Sequence, residues 1–200
     1  MNFSAWRHRV AESGPAACTF VLRNLARGRR LRPFAAVEHE AGAGERFAVG
    51  PAAATGLADL YGLYAALNGG RRLEPQTRLL LRLRGERFCL TARRCADGAL
   101  AGMALYYFNA RDRDAGAIHE AYIGLMPPLR GMGLGTFMRR HALRHFAGCG
   151  LDRVSSRVSA GNLPSLKGNM KLGFLPVETY FDSAMAEQRH YLICDLGPYR

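Results

Sequence analysis

The run Tyr122-Ile-Gly-Leu-Met-Pro-Pro-Leu-Arg-Gly-Met-Gly-Leu-Gly-Thr136 constrains this chain more than any other stretch. An apolar strand pattern meets Pro127-Pro128, then the alternate glycines Gly131, Gly133 and Gly135, then a helical pattern from Thr136 to Phe146. Glycine lets backbone N–H groups approach a ligand with no Cβ in the way. A helix beginning at such a turn adds its own free N–H groups and the positive end of its dipole. The stretch therefore predicts a strand–loop–helix unit that cradles the phosphates of a nucleotide-derived cofactor.

Spacing narrows the choice. A Walker A loop needs a lysine after its last glycine, and Gly131 to Thr136 has none. The dinucleotide fingerprint G-x-G-x-x-G places its third glycine one position later than Gly135, and Pro127-Pro128 does not suit a tight parallel-strand turn. The pattern that fits is Arg/Gln-x-x-Gly-x-Gly/Ala, met by Arg130, Gly133 and Gly135. With the apolar-x-Pro lead-in Leu125-Met126-Pro127, it resembles the CoA pyrophosphate motif of the GNAT superfamily, the acyl-CoA-dependent N-acetyltransferases. A second segment of that family is matched downstream, where Asn162, Ser165, Lys171, Gly173 and Phe174 fall at the corresponding positions.

The resemblance covers about residues 45–196. It implies an α/β (α+β) fold in which a central mixed, mostly antiparallel sheet is splayed at the CoA site and flanked by helices. The element order agrees. A strand is predicted over Arg46–Val49, a helix over Gly56–Leu67 capped by Thr55, and a second helix over Pro75–Leu83. A hairpin is predicted over Arg87–Thr91 and Leu100–Phe108, with the turn at Asp97-Gly98. Ala117–Leu125 reads as the next strand, after a polar turn over residues 111–114. In the helix that follows, Leu134, Phe137, Met138, Ala142 and Phe146 form the buried face, with Arg139, Arg140 and Arg144 outward. Arg153–Ala160, Val177–Tyr180 and His190–Cys194 read as strands and Asn162–Leu172 as a helix.

Residues 1–44 read as a basic, partly helical N-terminal extension, with a helix from about Ser13 to Ala26 and a linker at Ala41–Gly44, ahead of an acetyltransferase domain over 45–200. The net charge of +12 comes almost wholly from arginine, since Lys167 and Lys171 are the only lysines. A surface of this kind attracts polyanions such as CoA phosphates or an acidic protein partner. Nucleic acid is not expected as a partner, because no recognised nucleic-acid-binding motif accompanies the charge. Five cysteines without a C-x-x-C pair read as reduced thiols. With no transmembrane run and no signal-peptide pattern, the expected location is cytoplasmic. His141 and His145 lack an acidic companion, so no metal is expected. A homodimer stays open.

For the chemistry, the resemblance implies direct attack of a neutral amine on acetyl-CoA, with no acyl-enzyme. The implied cofactor contacts are Leu125, Met126, Arg130, Gly131, Met132, Gly133, Leu134, Gly135 and Thr136, joined by Asn162, Ser165 and Asn169. Lys167 and Lys171 either contact the ribose phosphate or stay solvated. Glu120 is the first candidate for the base that takes the amine's proton, on a strand whose alternation groups it with Tyr122 and Gly124, opposite His119, Ile123 and Leu125. His119 is the second candidate, by its ordinary pKa. Where many relatives carry a tyrosine that protonates the leaving thiolate, this chain has Asn169, which cannot donate as an acid; either Tyr180, Ser165 or water does so, or the thiolate takes the proton directly from the collapsing intermediate. The acceptor amine is not legible. A donor with a longer acyl chain, on CoA or on an acyl carrier protein, is an alternative, as is a CoA-binding regulatory module without turnover.

Overall fold

A computed structural model of the chain describes residues 3–53, 56–112 and 116–200. The strands β1 (Val37–Glu40), β2 (Arg46–Pro51), β3 (Cys89–Arg94), β4 (Leu100–Tyr107), β5 (Ala117–Leu125), β6 (Arg153–Ser159), β7 (Phe174–Asp182) and β8 (Glu187–Asp195) form one sheet. Their spatial order is β1-β2-β3-β4-β5-β6-β8-β7. Every neighbouring pair is antiparallel except β5 with β6. That one parallel pair needs a crossover, and α4 (Leu134–Gly148) supplies it. Helices α1 (Phe3–Gly28), α2 (Leu57–Leu67) and α3 (Pro75–Phe88) precede the crossover, and α5 (Leu163–Met170) follows it.

The faces are assigned by contacts. Phe20 of α1 meets Tyr107, and Tyr64 of α2 meets Tyr122, on one face. Phe146 of α4 packs edge-on against Tyr106 on the other. The mixed, mostly antiparallel sheet flanked by helices is thus as the sequence predicted. Thr55, the expected cap of α2, and residues 113–114 of the polar turn lie outside the described residues. Among the described residues, no helix is long and apolar enough to cross a membrane.

The N-terminal region differs from its reading. Helix α1 starts at Phe3 rather than Ser13, and Ala41–Gly44 is no linker but the turn joining β1 to β2, which pair from Val37↔Val49 to Glu40↔Arg46. Leu31, Phe34 and Ala41 belong to the same buried core as Phe47, Leu105 and Phe146. A boundary at residue 44 therefore cuts a hairpin. Strand β1 carries little sequence signal, because Val-Glu-His-Glu has a single apolar residue and sits at the sheet edge.

Asn24 ties α1 down. Fully buried, it donates from Nδ2 to Phe108 O at 3.2 Å and accepts at Oδ1 from Phe108 N at 2.7 Å. It thereby completes the end of β4, where the ladder stops. Asn24→Ala would leave both Phe108 groups unpaired in the core, at a cost of about 1–3 kcal/mol. The expected result is a lower urea midpoint with an unchanged slope; an unmoved midpoint would show that α1 does not dock through this contact.

Candidate active site

The site begins where two strands part. β5 pairs with β6 from Ala117↔Arg153 to Glu120↔Ser156 and no further, while β6 continues against β8 through Ser159↔Arg189. Ala121–Leu125 and Arg157–Ser159 therefore diverge, leaving a wedge in the sheet. Met126 N donates to Ala101 O at 2.9 Å. Because antiparallel residues alternate between facing and turning from the partner, Ile123 and Leu125 turn their N–H and C=O groups away from β4, into the wedge. Arg130 Nε meets Leu125 O there, at 3.3 Å.

A bulge changes the expected faces. Leu105 is opposite Tyr122 while Tyr106 is opposite Glu120, so Ala121 is an extra residue on β5. Leu105 and Tyr106 point to opposite faces, and so do Tyr122 and Glu120. The grouping of Glu120 with Tyr122 and Gly124 is thus corrected: Glu120 faces α4, and Tyr122 faces α2.

Beyond β5, Pro127–Leu129 makes one 3-10 turn, and Gly131 and Gly133 follow with φ of +80° and +86°. A Cβ at either position would meet nothing within 4 Å, so both loops of backbone lie open. Gly133 caps α4 without any side-chain hydrogen bond, which leaves the N–H groups of Leu134, Gly135 and Thr136 available. A Cβ at Gly135 would sit 3.5 Å from Leu125 Cδ1, an ordinary van der Waals contact. Met132 O accepts from Gly42 N at 3.4 Å and seats the loop on the β1–β2 turn. Open, left-handed glycines, uncapped N–H groups and an unpaired strand edge fit a pyrophosphate followed by an extended amide chain, which is the form of CoA.

On the α4 face, Arg139 gathers residues that the sequence reading left apart. Its Nε lies 3.0 and 3.1 Å from the two Glu120 carboxylate oxygens, and a terminal nitrogen lies 3.0 Å from Oε1. It also donates to Ser165 Oγ at 3.3 Å. Asn162 Oδ1 caps α5 by accepting from Ser165 N at 3.2 Å, and Asn169 Nδ2 donates to Ser165 O at 2.9 Å. Asn169 is fully buried and its Oδ1 has no partner. Arg139 was expected to face outward; it is buried, because β5 and α5 cover that side of α4 as well.

The opposite face carries His119 and Tyr180. His119 Nδ1 lies 2.8 Å from Ser155 Oγ, which donates to Asp112, and Tyr191 donates to the same carboxylate at 2.6 Å. Arg157 Nε donates to His119 Nε2 at 3.3 Å. Burial, with Arg157, Arg189 and Arg111 close by, pushes the imidazole down to about 3, so His119 is neutral. Tyr180 is half-buried and shares an open depression of about 300 Å³ with Asn109, Arg111, Arg157 and Tyr191. Above this face, the turn after α2 meets the β7–β8 turn, Arg71 lying 3.4 Å from Met185 Sδ. His141 and His145 take no part; the first contacts Ala35 O at 3.0 Å and the second lies tilted against the Phe34 ring, 4.2 Å between centroids.

Residues 57–174 match the sequence model of the acetyltransferase (GNAT) family. No curated protein matches the chain by sequence. Among solved structures, the ribosomal-protein-S5-alanine acetyltransferase of Vibrio fischeri is 15% identical with a TM-score of 0.65, over 83% of this chain and 99% of that one. Arabidopsis thaliana Naa50, in complex with a bisubstrate analogue, is 16% identical with a TM-score of 0.62, over 74% and 97%. yncA of Salmonella typhimurium, solved with its cofactor acetyl-CoA, is 14% identical with a TM-score of 0.60, over 75% and 94%.

Proposed function

Because the chain belongs to the GNAT acetyltransferase family, we propose that it moves an acetyl group from acetyl-CoA to a primary amine by direct attack, both substrates being bound together. One observation carries this reading: the wedge between β5 and β6 opens beside an uncapped helix start behind two left-handed glycines. Acetyl-CoA supplies the acyl group as an activated thioester. The backbone of Gly131–Thr136 receives its pyrophosphate, Arg130 adds a cation, and Leu125 and Met126 line the entry. The N–H groups of Ile123 and Leu125, turned into the wedge, polarise the acyl carbonyl.

Glu120 serves as a positioning residue in this reading. Both of its oxygens are held by Arg139, on the face away from His119 and Tyr180, so no free lone pair meets an amine arriving there. The pair fixes α4 against β5 and, through Ser165, holds α5. Deprotonation of the amine is helped instead by the cationic surroundings. Arg157, which has no ion-pair partner among the described residues, disfavours a bound ammonium, so the neutral nucleophile is reached with water as proton acceptor. Asn169 holds the α5 backbone, and the thiolate, a good leaving group, departs without a dedicated acid.

Acetyl-CoA at about a hundred times its Kd is expected to add about 2.7 kcal/mol of stability, roughly 5–10 °C in melting temperature for a chain of this size. Release of free thiol on addition of an amine panel then reports transfer. A thermal shift without thiol release from acetyl-CoA or longer acyl-CoAs would identify a binding module; no shift at saturating CoA would refute the cofactor assignment.

A further inference from the structure

Three guanidinium groups surround the depression beside His119, and their neutralisation differs. Arg111 pairs with Glu178 and stacks on the Tyr191 ring at 3.7 Å. Arg189 lies 3.4 Å from Asp182 and 3.5 Å from Glu187. Arg157 is exposed, and among the described residues no carboxylate lies within ion-pair distance of it. Its contacts are neutral: His119 Nε2 at 3.3 Å and Tyr107 Oη at 3.5 Å. A guanidinium held against an imidazole nitrogen and a phenol keeps its full charge, and its planar fork matches carboxylate or phosphate oxygens.

Its place in the fold says what that charge faces. Arg157 is the first β6 residue beyond the last β5–β6 pair, so it stands at the apex of the wedge. Ile123, whose N–H opens into the wedge, lies two ladder steps from that apex, about 7 Å away along the strand. An acceptor whose amine reaches the acyl carbonyl therefore passes within reach of Arg157.

We propose that Arg157 anchors an oxyanion on the amine acceptor, a carboxylate or phosphate set a few bonds from the attacking nitrogen. The inference rests on the amine-transfer reading and deepens it to a substrate class: small amines carrying an acid group. Tyr180 and Asn109 line the same depression and offer further hydrogen bonds to that group.

The test compares matched amines, with rates referred to the neutral amine: β-alanine against β-alaninamide for the carboxylate, phosphoethanolamine against ethanolamine for the phosphate. The wild type should favour at least one acid-bearing member by roughly tenfold to a hundredfold in kcat/KM, mainly through KM. Arg157→Gln should bring that ratio close to one, and Arg157→Lys, which keeps the charge but not the fork, should retain part of it. The pair that shows the preference identifies the oxyanion. No preference in the wild type, or one that survives in Arg157→Gln, overturns the proposal while leaving amine transfer intact. Thermal shifts with malonate and inorganic phosphate, against chloride at equal ionic strength, separate the two readings. If no amine is turned over, an anion-specific stabilisation lost in Arg157→Gln supports the anchor and counts against transfer. An equal stabilisation in both proteins counts against the anchor.

Discussion

Replacing Arg139 by methionine is expected to destabilise the protein by about 3–5 kcal/mol, the cost of leaving a buried carboxylate without its partner. The Glu120 and Arg139 side chains are 3% and 8% exposed, so water cannot take over the lost contacts. Ser156 Oγ, 3.4 Å from Oε1, and the buried Tyr106 hydroxyl beside the carboxylate are neutral groups and do not replace the lost charge. Removing both charges, as Glu120→Leu with Arg139→Met, should recover most of the loss, because an apolar pair of similar volume avoids the desolvation that the ion pair must overcome. A double-mutant cycle in urea measures the coupling. The same series separates two roles for Glu120. An amine-facing base would lose turnover in Glu120→Gln at nearly unchanged stability. A positioning residue loses stability in step with turnover. An Arg139→Met protein with an ordinary melting temperature would mean that the pair does not hold α4 to the sheet.

Gly133→Asp should weaken acetyl-CoA binding at least a hundredfold, about 2.7 kcal/mol, while the apoprotein keeps its fold. At φ of +86° aspartate is tolerated better than most residues, and a Cβ there meets nothing within 4 Å. A carboxylate at a helix start even favours the helix, by about 0.3–1 kcal/mol. That is the reason for choosing it. The carboxylate takes the uncapped N–H groups of α4 and places a negative charge where the pyrophosphate is to lie. Gly133→Ala, with strain of about 1–2 kcal/mol and no charge, should weaken binding far less. Calorimetric titration with acetyl-CoA and melting of the apoprotein give both numbers. An unchanged Kd in Gly133→Asp would place the phosphates elsewhere.

Much of the fold was legible because its signals are local. Alternation over Ala117–Leu125, the proline pair, the glycine spacing and the heptad-like stripe of α4 each lie within one element. The element boundaries agree with the structure to within a few residues, the predicted end of α3 at Leu83 falling at its kink, where Arg84 leaves helical geometry; the exception is α1, which starts at Phe3 rather than Ser13. β1 was hidden because an edge strand buries little. Arg139 was placed on the solvent side of α4 because charge at helical spacing usually marks a solvated face; here a second layer covers that face. The pairing of Glu120 with Arg139 spans two elements, and nothing in either segment announces it.

By itself, the sequence determined the loop and helix start on which the proposed cofactor contacts rest. Left-handed glycines and a helix start depend on backbone conformations that only certain residues adopt, so the spacing of Arg130, Gly133 and Gly135 carries the cradle with it. The tertiary structure decided the rest. A single extra residue, Ala121, reverses which face Glu120 presents, and a strand's facing is set by its partner's register rather than by its own residues. The end of the β5–β6 pairing at Glu120↔Ser156 likewise belongs to neither strand alone, and it is what opens the wedge and brings Arg157 to its apex.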